Sequence, residues 1–318
     1  MSFDPVPVFD SQAVTPGWIG HVLGREGQCV DCELEAIGTG QVGANYRAHL
    51  NWSDDQGPAT VVIKFAASDS QSRSTGIQMG TYEREAEFYR VFAPKLEVAV
   101  PYTHFVDFVP GTADVVIVME DLAPRMQGDQ LRGCTSDDAT LALSQAAKLH
   151  SAYWGKEELS ELAWLSRRTP EQVEQTIALI DLLQPAFVDR YRSDLTTEAV
   201  DLSNRFAANA SQWFACLPSP ISLAHGDFRL DNLMFADPGA SILPRLVVVD
   251  WQTITHSHGA HDVAYFVGSA FEPELRRLHE ERLVSRYFEE LVDTGRASLP
   301  VSYTHLRAHE TLRYLVCR

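Results

Sequence analysis

The sequence predicts an α+β protein in two lobes, a small sheet-plus-helix lobe followed by a larger, mainly helical one. Three observations carry this. Strand patterns crowd residues 30–120, helical periodicity takes over after Ala123-Pro124, and 318 residues suit two units of about 150 each. Hydrophobic residues at 45% and charged residues at 22% describe a globular chain able to bury a large core, not a disordered one. The net charge of −17 argues against a nucleic-acid binder and against an anionic membrane surface as partner. No apolar run approaches the roughly 20 residues that span a bilayer. Met1-Ser2-Phe3-Asp4-Pro5 lacks the basic and apolar regions of a secretory signal. Five scattered cysteines fit reduced thiols better than a disulfide framework, so a cytoplasmic location is expected. The oligomeric state leaves no visible mark.

The elements follow in order. Tyr46 to Trp52 alternates after a glycine cluster, as a half-buried strand does. Val61-Val62-Ile63-Lys64-Phe65 is apolar and β-branched and reads as a central strand. Ser53-Asp54-Asp55-Gln56-Gly57-Pro58 between them is turn chemistry, which makes the pair a hairpin. Glu83 to Ala93 reads as the one helix of this lobe, with Ala86, Tyr89 and Ala93 on a stripe and Pro94 ending it. Phe105–Val109 and Val115–Met119 are two further strands around a Pro110-Gly111 turn.

Beyond the connector, Ala139, Ala142, Ala146, Leu149 and Tyr153 recur at helical spacing. Thr135 or Ser136 can cap that helix, with Asp137 and Asp138 in its first turn. Thr169-Pro170 opens another, with Val173, Ile177 and Ile180 on one face, and a third follows Thr197. Short strands are expected at 221–224, 233–235 and 246–249, and helices again beyond His261. The expected division is a lobe over 1–120, a hinge over 121–124 and a lobe over 125–300, with a ligand between the lobes.

Gly38-Thr39-Gly40-Gln41-Val42-Gly43 matches G-x-G-x-x-G, but an alternating strand follows where a dinucleotide fold needs a helix. Gly38, Gly40 and Gly43 between two strands suit a flap whose amides lie over phosphates; a plain hairpin loop is the alternative. Lys64 is one of only four lysines against 22 arginines, and it sits inside an apolar strand. An ammonium there is costly to bury unpaired. It suits the α- and β-phosphates of ATP, positioned by a carboxylate from Glu83, Glu85 or Glu87, of which Glu85 is preferred because Ala86 and Tyr89 face inward. The alternative is an edge lysine in solvent.

His225-Gly226-Asp227-Phe228-Arg229-Leu230-Asp231-Asn232 is the strongest signal. Asp and Asn five residues apart at the end of an apolar strand match the H-x-D-x-x-x-x-N catalytic loop of kinases. Asp227 suits a carboxylate that orients an acceptor hydroxyl and takes its proton. Asn232 suits a neutral oxygen ligand for Mg2+. Eighteen residues later Asp250 ends a buried strand, well placed to share that ion with the phosphates. Arg229 suits charge on the transferring phosphoryl group, or else pairs with Asp231.

The ordered set of glycine loop, Lys64, glutamate helix, H-x-D-x-x-x-x-N and Asp250 resembles the phosphotransferase clan that includes aminoglycoside phosphotransferases and choline kinases. Glu85-Ala86-Glu87-Phe88-Tyr89-Arg90, Met119-Glu120-Asp121-Leu122 and Asp250-Trp251-Gln252 are most similar to the ecdysteroid kinase-like group. The resemblance covers about residues 30–292. It implies the two-lobed protein-kinase-like fold and transfer from ATP, with Mg2+, to a hydroxyl of a small molecule. It further implies a hinge at Glu120, Asp121 and Leu122 whose backbone binds adenine, and a structural Asp262 bracing the loop at His225. Trp251-Gln252 in place of Phe-Gly, and the lack of Ala-Pro-Glu, speak against a protein substrate. A catalytically silent nucleotide-binding regulator and an aminoglycoside-resistance kinase are the competing readings.

Two other patterns carry less. Cys29-x-x-Cys32 has metal or redox spacing but no second pair, and His256, His258 and His261 cluster in a loop that reads as solvated or as a wall of the acceptor site. Residues 301–318 resemble a translated sequencing-adapter string rather than native protein, and the natural chain is expected to diverge near Leu299 or Pro300. An ordinary terminal helix is the alternative.

Overall fold

The computed structural model describes residues 5–38, 42–165, 169–216 and 220–293. Gly40 and the segment 301–318 therefore lie outside the described residues.

Helix α1 (Pro16–Val22) is capped by the Thr15 hydroxyl and carries a proline at its start. The sheet follows, with β1 (Cys29–Ile37), β2 (Gly43–Trp52) and β3 (Thr60–Ala66). Next come α2 (Ser70–Met79), α3 (Thr81–Glu87), β4 (Thr103–Phe108) and β5 (Val115–Glu120). All five strands pair antiparallel in the order β1-β2-β3-β5-β4, so β3 is central as its composition requires.

This part holds helices that sequence reading did not find. Two helices, not one, separate β3 from β4. The first, α2, is mostly polar, leaves Ile77 and Met79 exposed and buries only Gly76, so it shows no apolar stripe. The second begins at Thr81, and its regular hydrogen bonding ends at Glu87. A π-turn over Phe88–Phe92 and a 3-10 turn over Ala93–Lys95 carry the chain onward.

The two faces of the sheet are buried in different ways. Val61, Ile63 and Phe65 point to one side, against Ile19 of α1, Ala48, Val116 and Val118. The opposite face, with Ile117 and Met119, packs on Ala86, Phe88 and Tyr89 and runs into the core of the helical part. Strand alternation puts Lys64 on this second face, the one the two parts share.

After a short β6 (Met126–Gln127) the chain turns helical. The elements are α4 (Ser136–Ala152), α5 (Pro170–Arg190), α6 (Thr197–Ala208) and α7 (Ala210–Ala215). Thr135 and Asp138 form a reciprocal capping box on α4. The face of α5 that carries Val173, Ile177 and Ile180 is half-buried, and no residue of α5 is fully buried. Then come β7 (Ser222–Ala224), β8 (Leu233–Phe235), β9 (Leu246–Val248), β10 (Thr255–Ser257), α8 (Gly259–Ser269) and α9 (Pro273–Asp293). β10 pairs with β7, and β6-β8-β9 form a three-stranded sheet. No described helix is long and apolar enough to cross a membrane.

Candidate functional site

Lys64 is only 9% exposed, and its charge is met on both sides. Its ammonium lies 2.7 Å from Glu85 Oε2 and 3.2 Å from Asp250 Oδ1. Of the three glutamates open at the sequence level, Glu85 is the partner; Glu87 pairs instead with Arg90 at 2.9 Å. Burial alone would depress the lysine pKa, yet Asp250 and Glu85 raise it, so the ammonium stays charged. Lys64 in turn holds the Asp250 carboxyl below its ordinary range against the effect of burial. Burial pushes the Glu85 carboxyl up, and Lys64 and the Gln252 side chain, which hydrogen-bonds it, oppose that rise.

Gly43 stands against this group. A Cβ there would lie 2.8 Å from Lys64 Cε and 3.4 Å from Gln252 Nε2. Gly38 has φ +75°, a conformation glycine adopts freely, at the end of β1. Gly38 directly follows β1, and Gly43 is the first residue of β2.

The His225–Asn232 segment leaves β7 and forms a second cluster. Gly226 takes φ +84°, and a Cβ there would reach 2.4 Å from the Thr253 carbonyl, so the position demands glycine. Asp262 on α8 accepts the His225 amide at 2.7 Å and the Gly226 amide at 2.9 Å. It is also 3.1 Å from His150 Nε2. Burial would raise its pKa, but the His150 and Gly226 hydrogen bonds outweigh it and the carboxyl is held low. The His225 ring donates from Nε2 to the Val249 carbonyl and accepts the Asp227 amide at Nδ1.

Asp227 Oδ2 accepts Asn232 Nδ2 at 3.0 Å and Arg229 Nε at 3.2 Å. The Tyr265 hydroxyl hydrogen-bonds the same carboxylate. Arg229 pairs with Asp231 as well, its Nη1 lying 2.9 Å from Oδ2.

Backbone ties join the two clusters. The Val249 amide donates to the Asn232 carbonyl at 3.0 Å, and Asp250 follows directly. Asp250 adopts φ +62°, unusual for a residue other than glycine, and this turns its carboxylate off the line of β9. Trp251 then stacks on Phe88 at 3.8 Å and 9°, and its ring lies 4.7 Å from His225. One indole thus couples the helix that carries Glu85 to the segment that carries Asp227.

Glu120 ends β5, three residues past Ile117, the cross-strand partner of Lys64, and Asp121 and Leu122 follow it. Their acidic side chains are committed within the protein. Asp121 accepts Arg47 Nε at 2.7 Å, and Glu120 accepts the Tyr102 amide at 2.8 Å.

Sequence reading missed His150, Tyr287, Gln252, Tyr265 and Gln130. His150 is a lone histidine on an apolar helix; its partners Asp262 and Tyr287 lie 112 and 137 residues away, beyond any local pattern. Among the described residues no three His, Cys, Asp or Glu are placed to hold a metal by themselves, at the Cys29–Cys32 pair or at the three histidines. The histidines do not share the solvated loop expected of them: His256 is buried in β10 and His261 lies in α8, with only His258 between the two elements. Cys29, Cys32, Cys134 and Cys216 are free thiols.

Residues 41–298 match the sequence profile of the ecdysteroid kinase-like family. The chain belongs to this family. No curated protein matches it significantly in sequence. Three solved structures share the fold of this ecdysteroid kinase-like chain. The Plasmodium vivax ethanolamine kinase is 13% identical over 90% of this chain and 73% of its own, with a TM-score of 0.52. Choline kinase from Cryptosporidium parvum Iowa II is 10% identical over 82% and 72%, with a TM-score of 0.51. The GDP complex of wild-type aminoglycoside 2'-phosphotransferase-IIIa is 15% identical over 89% of each chain, with a TM-score of 0.50. The two-lobed kinase-like architecture expected from the sequence is the one observed.

Proposed function

We propose that the protein is an ATP-dependent phosphotransferase that moves the γ-phosphate to a hydroxyl of a small molecule. The observation that carries this is buried Lys64, paired with buried Glu85 on one side and partly exposed Asp250 on the other, and set against the loop of Asp227 and Asn232. A purely structural core gains little from burying a lysine between two carboxylates. A phosphate site gains a fixed cation and a ready metal ligand.

In this reading residues 1–120 form the nucleotide lobe, 121–124 the hinge and 125–300 the acceptor lobe. The amides of the glycine segment 38–43 cover the phosphates, and the backbone of Glu120, Asp121 and Leu122 meets adenine. Lys64, held by Glu85, binds the α- and β-phosphates. The donor set also fits a hard divalent cation. Asp250 offers a carboxylate, and Asn232, with its Nδ2 spent on Asp227, offers a neutral oxygen. Bound Mg2+ supplies charge neutralisation at the phosphates. Asp227 orients the acceptor hydroxyl and takes its proton as the oxygen attacks the γ-phosphorus; the bond to the β-phosphate oxygen breaks and ADP leaves. Arg229 stabilises charge on the group in flight. His225 and Asp262 hold the loop in shape.

The test is the melting temperature of the full chain with ATP, with and without Mg2+. A rise that grows with Mg2+ and weakens in Asp250→Asn supports the site. No rise in a well-folded protein refutes it, and a rise without ADP release from any alcohol favours a silent nucleotide-binding regulator. The names of the structural neighbours put ethanolamine, choline and aminoglycosides first in that screen. A resistance test in a sensitive host addresses the last of these.

A further inference from the structure

Arg229 does not stand alone at Asp227. Its Nε lies 3.2 Å from Asp227 Oδ2, and its Nη1 lies 2.9 Å from Asp231 Oδ2. Among the described residues Nη2 has no partner. The Asp231 carboxylate is itself fixed from the far side, where its Oδ1 accepts the Gln130 amide at 3.0 Å. The segment that carries Gln130 is docked along the same loop. Gln127 Nε2 donates to the Asp231 carbonyl at 2.6 Å, and the Gly128 amide donates to the Leu233 carbonyl at 2.9 Å. Gln130 Oε1 accepts the Leu230 amide at 3.1 Å, while its Nε2 donates to the Ser269 carbonyl at 2.8 Å. The approach is close enough that a Cβ on Gly128 would lie 2.5 Å from the Leu230 carbonyl oxygen.

The arrangement is a ladder from a rigid backbone amide to a reactive carboxylate, Gln130 to Asp231 to Arg229 to Asp227. Arginine is long and rich in rotamers, so a guanidinium held at one point only is poorly aimed. Gripped at both Nε and Nη1, it keeps a fixed plane and presents Nη2 outward. Arg229 and Asp231 are each about one-third exposed, at 34% and 32%, so solvent alone would satisfy both and the pairing is not forced by burial.

We propose that Asp231 is a positioning residue that aims Arg229 at the γ-phosphate. This rests on the phosphotransfer reading above. Asp231 touches no substrate and acts only through the guanidinium, so its effect disappears once Arg229 is gone.

Calorimetric titration of the full chain with Mg2+ plus ADP, or Mg2+ plus the non-hydrolysable analogue AMP-PNP, tests this. The variants are Arg229→Ala, Asp231→Asn, their combination and Asp231→Glu, each with its melting temperature recorded. Arg229→Ala is expected to weaken AMP-PNP about tenfold and to leave ADP unchanged. Asp231→Asn, which keeps an acceptor for the Gln130 amide, is expected to weaken AMP-PNP about threefold to fivefold, again sparing ADP. The combined variant should be no worse than Arg229→Ala, and Asp231→Glu should recover most of the loss. Losses that multiply in the combined variant, or an Asp231→Asn loss equal for ADP and AMP-PNP, overturn the proposal. A wild type that binds neither nucleotide overturns the phosphotransfer reading and this inference with it.

Discussion

Removing the Asp262 carboxylate should cost about 3–5 kcal/mol of folding stability, because a buried carboxylate would be stripped from the donors arranged around it. The estimate follows from three contacts. Asp262 accepts two backbone amides, at 2.7 Å from His225 and 2.9 Å from Gly226, and meets His150 Nε2 at 3.1 Å. In Asp262→Ala these three donors lose their acceptor inside the protein, at about 1–3 kcal/mol for each unsatisfied group. The gain from no longer burying a carboxylate offsets part of that sum. Asp262→Asn keeps the shape but turns an amide NH2 toward one of the donors, so it should recover only part of the loss. Urea unfolding followed by tryptophan fluorescence measures the change, since Trp251 is buried beside His225. With a slope near 3 kcal/mol/M, the Ala midpoint should fall by about 1–2 M. A loss under about 1 kcal/mol in both variants would refute the reasoning, because the loop would then be shaped by something other than Asp262.

Other outcomes follow from the same geometry. Gly43→Ala would place a Cβ 2.8 Å from Lys64 Cε, so Mg-ATP should bind about tenfold more weakly while the melting temperature barely moves; unchanged affinity would show that Lys64 has room to yield. Asp227→Ala should lower kcat by about 10²–10⁴ with little change in nucleotide affinity, read as ADP release with an alcohol that the wild type phosphorylates. An unaltered rate would remove Asp227 from the proton-transfer role. Asp262 is held below its ordinary value of 3.8, so the unfolded chain binds the extra proton first as pH falls. Its stabilisation is complete above about pH 4 and is lost as pH drops through the folded value, so the acid limb of a melting-temperature profile should be shallower in Asp262→Asn. Lys64 carries the opposite sign. Its contribution is complete below its ordinary value of 10.5 and is lost as pH rises through the higher folded one, so Lys64→Met should flatten the alkaline limb.

Much of this protein is legible in the sequence because its signals are local. A lysine inside an apolar strand announces a buried partner, and strand alternation places it on a face. Of the two candidate caps for α4, Thr135 is the one used, and it forms a capping box with Asp138 three positions on. His225 to Asn232 can be read as a unit because the strand end, the glycine turn and both polar side chains lie within one short loop. The elements that escaped are those without a local contrast. Helix α2 buries only a glycine, so its helicity leaves no periodic trace.

Partnership is what the sequence could not decide. Among the three glutamates near Lys64 the inward stripe of Ala86 and Tyr89 favours Glu85, but only the packing of α3 on the sheet brings it to 2.7 Å and turns Glu87 to Arg90. His150 and Asp262 lie 112 residues apart, and the gap at Gly259 that admits the imidazole exists only once α4 and α8 have packed. Pairing of Arg229 with Asp231 is one reading the sequence offers; the structure adds Asp227 as a second partner and anchors Asp231 by a segment 101 residues earlier. The physical reason is the same in each case. Periodicity and turn chemistry fix which way a side chain faces, while the strength of an ion pair or hydrogen bond depends on a few tenths of an ångström set by elements remote in the chain.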